Sequence, residues 1–517
     1  MKKSVLLYVI AFIVWAGLIA STLAPLLTAI QKSEEHGIVT AVLVTVSTLF
    51  IGYFWLNGVK DLVYTLYYYI RKRKLVTAPP EGYWREKFGN KAKMKVTMVY
   101  CTCNDFNAES LEACLNQDYP NHKVVILDDS KKEAYIRAID DFAAVHDIEV
   151  VRRDNNIGYK AGNLNNYLKS ADFDYFVILD SDEIVPSNFI TRSLDYFAYY
   201  KNSGIIQANH IATRNRNKFM NLFAIGVNSH WTTYQAVKHH HGFLSLLGHG
   251  AMVSRTCYEA AGGFPHLVAE DLCFSIEARN KGFYVAFAPD IICEEEYPID
   301  YLAFKKRHSK WTQGNMEFIK KYTWRIFTSN MRWFEKLDII LFTYSLPLTF
   351  FFAFYVVINV AILPLMHYNT TYPVWLLIPT GIFLIAPMLN DIIYYFGKKN
   401  PFSLAWYLAH SMMLYGSMMF VSLKSSMKSA FGKSVFLVTP KDSQRVSLRS
   451  AIHLNRGELI FGIALIAFSV LINDSPLPTM MIAIPGVFSV YLSMMSNQKD
   501  AQPEIVTVRS GRDRQLP

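Results

Sequence analysis

Two uninterrupted apolar runs near the start, Val5 to Ile30 and Ile38 to Leu56, constrain this chain more than any other feature. Each approaches or exceeds the roughly 20 residues that a helix needs to cross the hydrocarbon core. In lipid a backbone must satisfy its own polar groups, so both runs are expected as helices. The first is too long for the apolar core of a signal peptide, and the second follows closely. Met1-Lys2-Lys3 precedes the pair and Arg71-Lys72-Arg73-Lys74 follows it, whereas the connector Gln31 to Gly37 carries little positive charge. The positive-inside rule puts the N-terminus and the residues from 71 onward on the cytoplasmic side. An aromatic stretch from Tyr64 to Tyr69 suits the interface between them.

Four more apolar runs, Leu337 to Leu363, Val374 to Phe396, Glu458 to Ile472 and Pro478 to Met494, bring the expected crossings to about six. The connector His367 to Thr371 carries no Lys, Arg, Asp or Glu, as suits the outer face, and Lys398-Lys399 marks the return inside. A span over Phe402 to Leu423 would put Lys424, Lys428 and Lys433 outside, so that run is expected to lie on the membrane without crossing it. Asn359, Asn390, Asp391 and Tyr394 are polar or aromatic groups within the runs and candidates for lining a passage. Composition agrees, with 52% hydrophobic residues, a net charge of +10 and a mean hydropathy of +0.15. No groove-reading motif or aromatic-basic platform is present, so nucleic acid is not expected as a partner. The six cysteines lie in the polar middle without metal-ligand spacing and read as reduced cytosolic thiols.

From Lys95 to about Ile291 the pattern is that of a soluble α/β domain, after a linker at Pro79-Pro80-Glu81-Gly82. Strands are expected at 96–100, 124–127, 149–151 and 176–179, with helices at 107–115 and 131–146 between them. Such alternation predicts a parallel sheet covered by helices on both faces. The last strand runs into Asp180-Ser181-Asp182-Glu183. Two carboxylates spaced i, i+2 beyond a buried strand can share a hard cation with substrate phosphates, though the tripeptide also suits a solvated turn. Asp128 ends the second strand in the same way.

In this order and context the segments resemble the GT-A domain of membrane-embedded, inverting glycosyltransferases, the group of cellulose, curdlan, chitin and hyaluronan synthases. Thr102-Cys103-Asn104-Asp105 resembles their nucleotide-contacting Thr-Tyr-Asn-Glu, and Asp128 matches the aspartate that contacts uracil. Lys160-Ala161-Gly162-Asn163-Leu164-Asn165 matches a further family stretch, in which Gly162 would allow close backbone approach. The resemblance makes Asp180 and Asp182 the ligands of Mg²⁺ or Mn²⁺, with Asp180 also facing the diphosphate. Ala269-Glu270-Asp271 stands where the family has Thr-Glu-Asp, which makes Asp271 the general base and Glu270 its neighbour; the acidic pair also suits a helix N-terminus. Arg307-His308-Ser309-Lys310-Trp311 occupies the place of Gln-x-x-Arg-Trp. The resemblance implies that Trp311 stacks on the acceptor sugar and that Arg307 and Lys310 face the departing nucleotide. Arg-to-Lys keeps the charge but loses bidentate reach. Phe436-Leu437-Val438-Thr439-Pro440-Lys441 resembles the gating loop that closes over the donor, with Thr439 and Lys441 on the diphosphate. His239-His240-His241 matches no ligand set and reads as a solvated or interfacial loop.

The expected architecture is a Rossmann-like GT-A domain inserted in a helical membrane domain. Residues 1–78 hold two spans, 79–299 the cytoplasmic catalytic domain, and 300–335 amphipathic interfacial helices. Two spans follow at 336–397, the surface helix and gating loop at 398–445, two spans at 446–496, and a tail at 497–517 that leaves no PilZ-type domain. The resemblance implies a processive UDP-sugar transferase in the plasma (inner) membrane, UDP-glucose being the first choice of donor. Its partners would be the growing glycan, membrane lipids and an accessory secretion subunit. A non-processive transferase acting on a lipid-linked acceptor, or a non-catalytic transporter or sensor, are the alternatives.

Overall fold

A single sheet of eight strands, order β3-β2-β1-β4-β7-β6-β8-β5, forms the middle of the computed structural model. The structure describes residues 4–71, 75–89, 93–344, 348–369, 372–432 and 445–498. The strands are β1 (Val96–Thr102), β2 (His122–Asp128), β3 (Glu149–Arg152), β4 (Tyr175–Asp180), β5 (Glu183–Ile184), β6 (Ser203–Ala212), β7 (Ala251–Ser254) and β8 (Tyr284–Glu295). All four strands expected from the sequence form, and they are parallel, with β1 between β2 and β4. The second half departs from the expected parallel sheet. β7 runs antiparallel to both β4 and β6, β6 and β8 are parallel, and β5 is antiparallel to β8. The sheet is therefore mixed; the segments after 184 have no uniform strand-helix alternation that would have fixed their direction.

Side chains alternate across the pleat, and the two faces bury separate clusters. Val99, Val125, Phe176 and Ile178 go to one face with Leu164, Tyr258 and Phe274 from helices. Met98, Tyr100, Ile126, Val177 and Leu179 go to the other with Leu111, Ile190 and Leu194. The helix Ala108–Leu115 is capped by Asn107, which accepts from Ser110 N at 3.2 Å, and so starts where turn chemistry ends.

The expected linker is clamped to the domain. Asp195 accepts from Gly82 N (3.1 Å) and Trp84 N (2.9 Å), and Arg192 donates to Pro79 O (3.1 Å). Arg192 is itself held by Asp195 at 2.7 Å and by Asp290. Asp195 and Arg192 are buried.

Among the described residues three helices are long and apolar enough to cross a membrane: Leu6–Glu34, Ile38–Arg71 and Arg456–Asn473. A fourth results if Val374–Phe383 and Ile385–Tyr395, bent by 54°, count as one span. The bend lies where the ring of Pro387 meets the carbonyl four residues earlier. This corrects the expected six. The 337–363 run is divided: its first part belongs to the helix Trp333–Thr343, in which Asp338 is buried and accepts from Phe243 N (2.7 Å) and Tyr64 OH (3.2 Å). A carboxylate so engaged faces protein, not lipid. The final helix, Leu477–Met495, offers only the apolar stretch Thr479–Met495, with Ser489 and Ser493 buried against its neighbours. Neither Pro401–Ser417 nor Met419–Phe431, which cover the 402–423 run, is long and apolar enough to cross.

The helix Lys218–His241 joins the sheet to the apolar helices. Its Ser229 donates to Asp391, its Ile225 carbonyl accepts from Tyr395 OH at 2.8 Å, and Tyr234 packs on Tyr64 with ring centroids 5.6 Å apart. Tyr407 OH also donates to Asp391, at 2.7 Å. Asn359 donates to Ser47 Oγ at 3.0 Å. Asp391 and Asn359, expected as passage lining, thus tie helices together. The triple histidine is no loop; it ends this helix, with His239 fully buried and accepting from Phe287 N at 3.0 Å. Helix Ile38–Arg71 meets the bent pair closely, since a Cβ on Gly58 would stand 2.4 Å from Phe383 Cα, and Trp55 Nε1 reaches Thr380 Oγ1 at 3.4 Å.

Replacing Arg192 by Ala leaves Asp195 buried without its cation and frees Pro79. The expected cost is about 3 kcal/mol, read as a lowered melting temperature in detergent together with new protease cleavage between 72 and 82.

Candidate active site

The site is built on the C-terminal edge of the parallel strands, where the register brings Thr102 beside Asp128 and Cys101 beside Asp180. Chain polarity alone gathers these groups, since each parallel strand must end on the same edge. Asp105 organises the edge. It accepts from Thr102 Oγ1 (2.9 Å) and Cys103 N (2.8 Å) through one oxygen, and from Ser181 Oγ (2.9 Å) through the other. Ser110 Oγ (2.7 Å) and Tyr100 OH (3.3 Å) donate to the Ser181 carbonyl. The middle residue of Asp180-Ser181-Asp182 is thereby fixed, and both flanking carboxylates remain half-exposed. Two hard oxygen donors on one anchored loop are a donor set that fits Mg²⁺ or Mn²⁺.

Lys160 closes one side. Its ammonium donates to Asp180 Oδ1 and to Gly248 O at 2.7 Å. Burial pulls its pKa down, but Asp180 more than offsets this and the net shift is upward, so Lys160 stays charged. Opposite, the helix Glu270–Asn280 begins with the acidic pair. Asp271 Oδ1 accepts from Leu272 N at 2.7 Å, and burial raises its pKa. Burial and the adjacent Asp271 carboxylate push Glu270 up to about 7, against the pull of Lys160 and Lys310. The pair thus stands in the first turn of a helix, where the dipole favours negative charge, while burial raises the pKa of both carboxyls.

The third wall is the helix Tyr301–Thr328. Lys310 faces Glu270 and Asp180, and burial lowers its pKa despite them. Trp311 is 40% exposed, a flat apolar surface open to the cleft. Arg307 lies over the Trp311 ring at 4.5 Å and the Tyr297 ring at 5.3 Å, and approaches Glu295 at 3.7 Å. One face of this helix packs on the helix Met419–Phe431, with His308 on Ser422 (2.6 Å) and Ser309 on Ser425 (2.8 Å).

Six of the predicted residues therefore meet in one cleft: Asp180, Asp182, Lys160, Glu270, Asp271 and Lys310. Asp128 lies on the same edge but is fully buried, accepting from Arg152 Nε (2.7 Å) and Ser130 N (2.8 Å). Gly162 allows a close backbone approach, as expected. A Cβ there would stand 1.9 Å from Ile157 O and 2.6 Å from an Arg153 guanidinium nitrogen, so the glycine is spent on packing the 153–158 loop. Thr439 and Lys441 fall outside the described residues. The sequence reading missed Glu183, His210, His249 and Glu295, which lie together behind the cleft. His249 Nδ1 is 3.2 Å from Glu183 Oε2, and His210 Nδ1 is 3.3 Å from Glu295 Oε2. Against burial, Glu183 and Glu295 raise His249 to about 10. Only the Gly248-His249-Gly250 spelling hinted at a tight backbone there.

Residues 97–314 match the family described as glycosyltransferase like family 2. This part of the chain is similar to family 2 glycosyltransferases, and its mixed sheet with helical flanks is GT-A-like. Among curated relatives, the probable glucomannan 4-beta-mannosyltransferase 1 of Arabidopsis thaliana is 23% identical over 334 residues, 59% of this chain and 57% of that protein. The probable glucomannan 4-beta-mannosyltransferase 9 of Oryza sativa subsp. japonica is 24% identical over 233 residues, 43% of this chain and 44% of that protein. The chain thus spans about half the length of the curated relatives it matches. Among solved structures, the mannosyltransferase PcManGT from Pyrobaculum calidifontis, in complex with GDP-Man and Mn²⁺, has a TM-score of 0.43 at 18% identity. That alignment covers 73% of this chain and 99% of that one. S. aureus TarS 1-349 in complex with UDP-GlcNAc has a TM-score of 0.35 at 14% identity, over 59% of this chain and 92% of that one.

Gly162→Ala forces the 157 carbonyl to move and is expected to cost about 1–3 kcal/mol. A lowered melting temperature, with nucleotide affinity of the remaining folded fraction unchanged, would mark the residue as packing.

Proposed function

We propose that this protein is an integral membrane, inverting glycosyltransferase that moves a hexosyl group from a nucleotide-sugar to the hydroxyl of a growing β-glycan. The observation that carries this reading is the convergence of Asp180 and Asp182, Lys160, Glu270-Asp271 and Lys310 on one cleft beside an exposed Trp311. A metal–diphosphate subsite, a base and an apolar sugar platform are what such a transfer requires.

Asp180 and Asp182 hold the Mg²⁺ or Mn²⁺, which acts as a Lewis acid toward the diphosphate when bound. Lys160 and Lys310 place two ammonium groups near the charge that develops on the leaving nucleotide. Asp271 takes the proton from the acceptor hydroxyl as that oxygen attacks the anomeric carbon from the face opposite the nucleotide, which inverts the configuration. Enclosure keeps the basicity of the acidic pair above that of a free carboxylate, as a base at neutral pH needs. Trp311 stacks on the acceptor, and Asp128 with Thr102 holds the nucleotide. The gating loop around Thr439 and Lys441 closes the site, and the apolar helices carry the product across the membrane.

UDP-glucose, polymerised processively to a β-glucan, remains the first choice of donor and product from the sequence motifs. A second reading is a mannosyl donor, favoured by the names of both curated relatives. The test is protein in nanodiscs with UDP-glucose, UDP-GlcNAc, GDP-mannose or GDP-glucose and Mn²⁺, reading nucleotide release and product length after linkage-specific digestion. Long product from one donor names the polymer, whereas one or two added sugars would indicate a lipid-linked acceptor and overturn processivity. No release with any donor would overturn the catalytic reading.

Asp271→Asn is expected to lower kcat by about 10²- to 10⁴-fold with donor affinity unchanged. Chelation of the divalent ion should abolish turnover reversibly. Because burial raises the Asp271 carboxyl and the base acts deprotonated, kcat/KM should fall on acidification at a higher pH than a free carboxylate would give.

A further inference from the structure

Behind the cleft, Glu183 and His210 have fully buried side chains, His249 is 12% exposed and Glu295 5% exposed. One ligand atom from each of Glu183, His210 and His249 lies within 4.8 Å of the others. The close approaches are His249 Nδ1 to Glu183 Oε2 (3.2 Å) and His210 Nδ1 to Glu183 Oε1 (3.9 Å). Glu295 adds His210 Nδ1 to its Oε2 (3.3 Å) and His249 Nε2 to its Oε1 (3.7 Å). Two of the enclosed atoms, Glu183 Oε1 and His249 Nδ1, have no hydrogen-bond partner. Gly250 forms the remaining wall with φ +56°, and a Cβ there would stand 2.3 Å from Glu183 Oε1 and 2.6 Å from His210 Nε2. The space is kept open by the absence of a side chain.

We propose that Glu183, His210 and His249 bind a structural transition-metal dication of the zinc class, separate from the ion at Asp180 and Asp182. Two imidazoles with carboxylates are a borderline donor set that favours zinc-like ions, whereas the all-oxygen Asp180-Asp182 pair favours Mg²⁺ or Mn²⁺. Bonds of about 2.0–2.1 Å to a tetrahedral ion put ligand atoms roughly 3.3 Å apart. The His249 Nδ1 to Glu183 Oε2 approach of 3.2 Å already matches that edge, and the ligand atoms, all within 4.8 Å of one another, need to close by at most about 1.5 Å. A dication also neutralises two buried carboxylates while both imidazoles stay uncharged, which removes the need to hold protons on them. Ligation through His210 Nδ1 puts the ring proton on Nε2, 3.0 Å from the Gln207 amide. That amide must then present its oxygen, releasing Leu247 N, as outer partners of metal-bound histidines do.

The ion's place explains its use. Glu183 follows Asp182 directly, Gly250 N donates to Glu183 at 2.9 Å, and the neighbouring Gly248 carbonyl holds Lys160. Held by buried ligands behind the cleft, the ion pins the catalytic loop.

The test uses the full chain in nanodiscs, stripped with a chelator and reloaded with Zn²⁺ or Co²⁺ alone. One ion per chain is expected to survive desalting, measured by elemental mass spectrometry, in both the wild type and Asp180→Asn/Asp182→Asn. It is expected to be lost in His210→Ala and Glu183→Gln. Co²⁺ should give the intense visible bands of a tetrahedral site in the wild type, a readout that needs no variant to fold. Zn²⁺ should raise the melting temperature of the wild type and not of His210→Ala. No retained ion and no cobalt bands, or an ion lost in the aspartate variant and kept in His210→Ala, would overturn the proposal and leave an ion-pair network.

Discussion

The Lys160 ammonium is the interaction on which the cleft depends. It bonds Asp180 on one strand end and the Gly248 carbonyl on the turn before β7, and it lies within electrostatic reach of Glu270 and Asp271. Carboxylates gathered on one edge repel one another, and enclosure strengthens the repulsion by lowering the local dielectric. A cation that is itself buried, and so cannot wander with solvent, makes the gathering stable before any ligand arrives. It also fixes the distance between the strand that carries Asp180 and the helix that carries the acidic pair. Asp105 does the complementary work from below, holding the Ser181 hydroxyl while Ser110 and Tyr100 hold its carbonyl, so that the flanking carboxylates keep their direction.

A second constraint acts at the seam between the sheet and the apolar helices. There, charge and polarity are used as fasteners: Asp391 takes Ser229 and Tyr407, and Asp338 takes Phe243 N and Tyr64. Polar groups at such a seam are costly if unpaired and strongly directional when paired. The helix Lys218–His241 is gripped from both sides in this way, which makes the cleft and the apolar bundle one mechanical body. The aromatic rings of Tyr234 and Tyr64 fill the space between the fasteners.

How much of this was legible follows from which forces act locally. The first four strands and their helices were readable because each has one period and one set of turn residues at its ends, as at Asn107. The aspartates at strand ends were readable for the same reason, since a parallel strand announces its exit edge. The direction of β6, β7 and β8 was not, because antiparallel and parallel neighbours can share the same buried apolar pattern. The count of spans failed where apolar runs carry one decisive polar residue: Asp338 has its partners about 95 and 274 positions away, and nothing nearby in sequence reveals them. That some backbone comes close at Gly162 was readable from the residue type, but that it is the Ile157 carbonyl was not. The Glu183–His210–His249–Glu295 group was invisible because its members come from four separate segments.

The contact of the second apolar helix with the bent pair has a consequence for biosynthesis. Trp55 and Thr380 meet although they are 325 residues apart in the chain. At about 5–20 residues per second of translation, helix Ile38–Arg71 stands in the bilayer for tens of seconds before Phe383 emerges to fill the notch at Gly58. During that interval the whole sheet domain is made and can fold. The first two helices therefore need to be stable as an isolated hairpin, which their own Trp15-to-Gly52 hydrogen bond of 2.8 Å supports. The later helices need only find a docking surface that already exists.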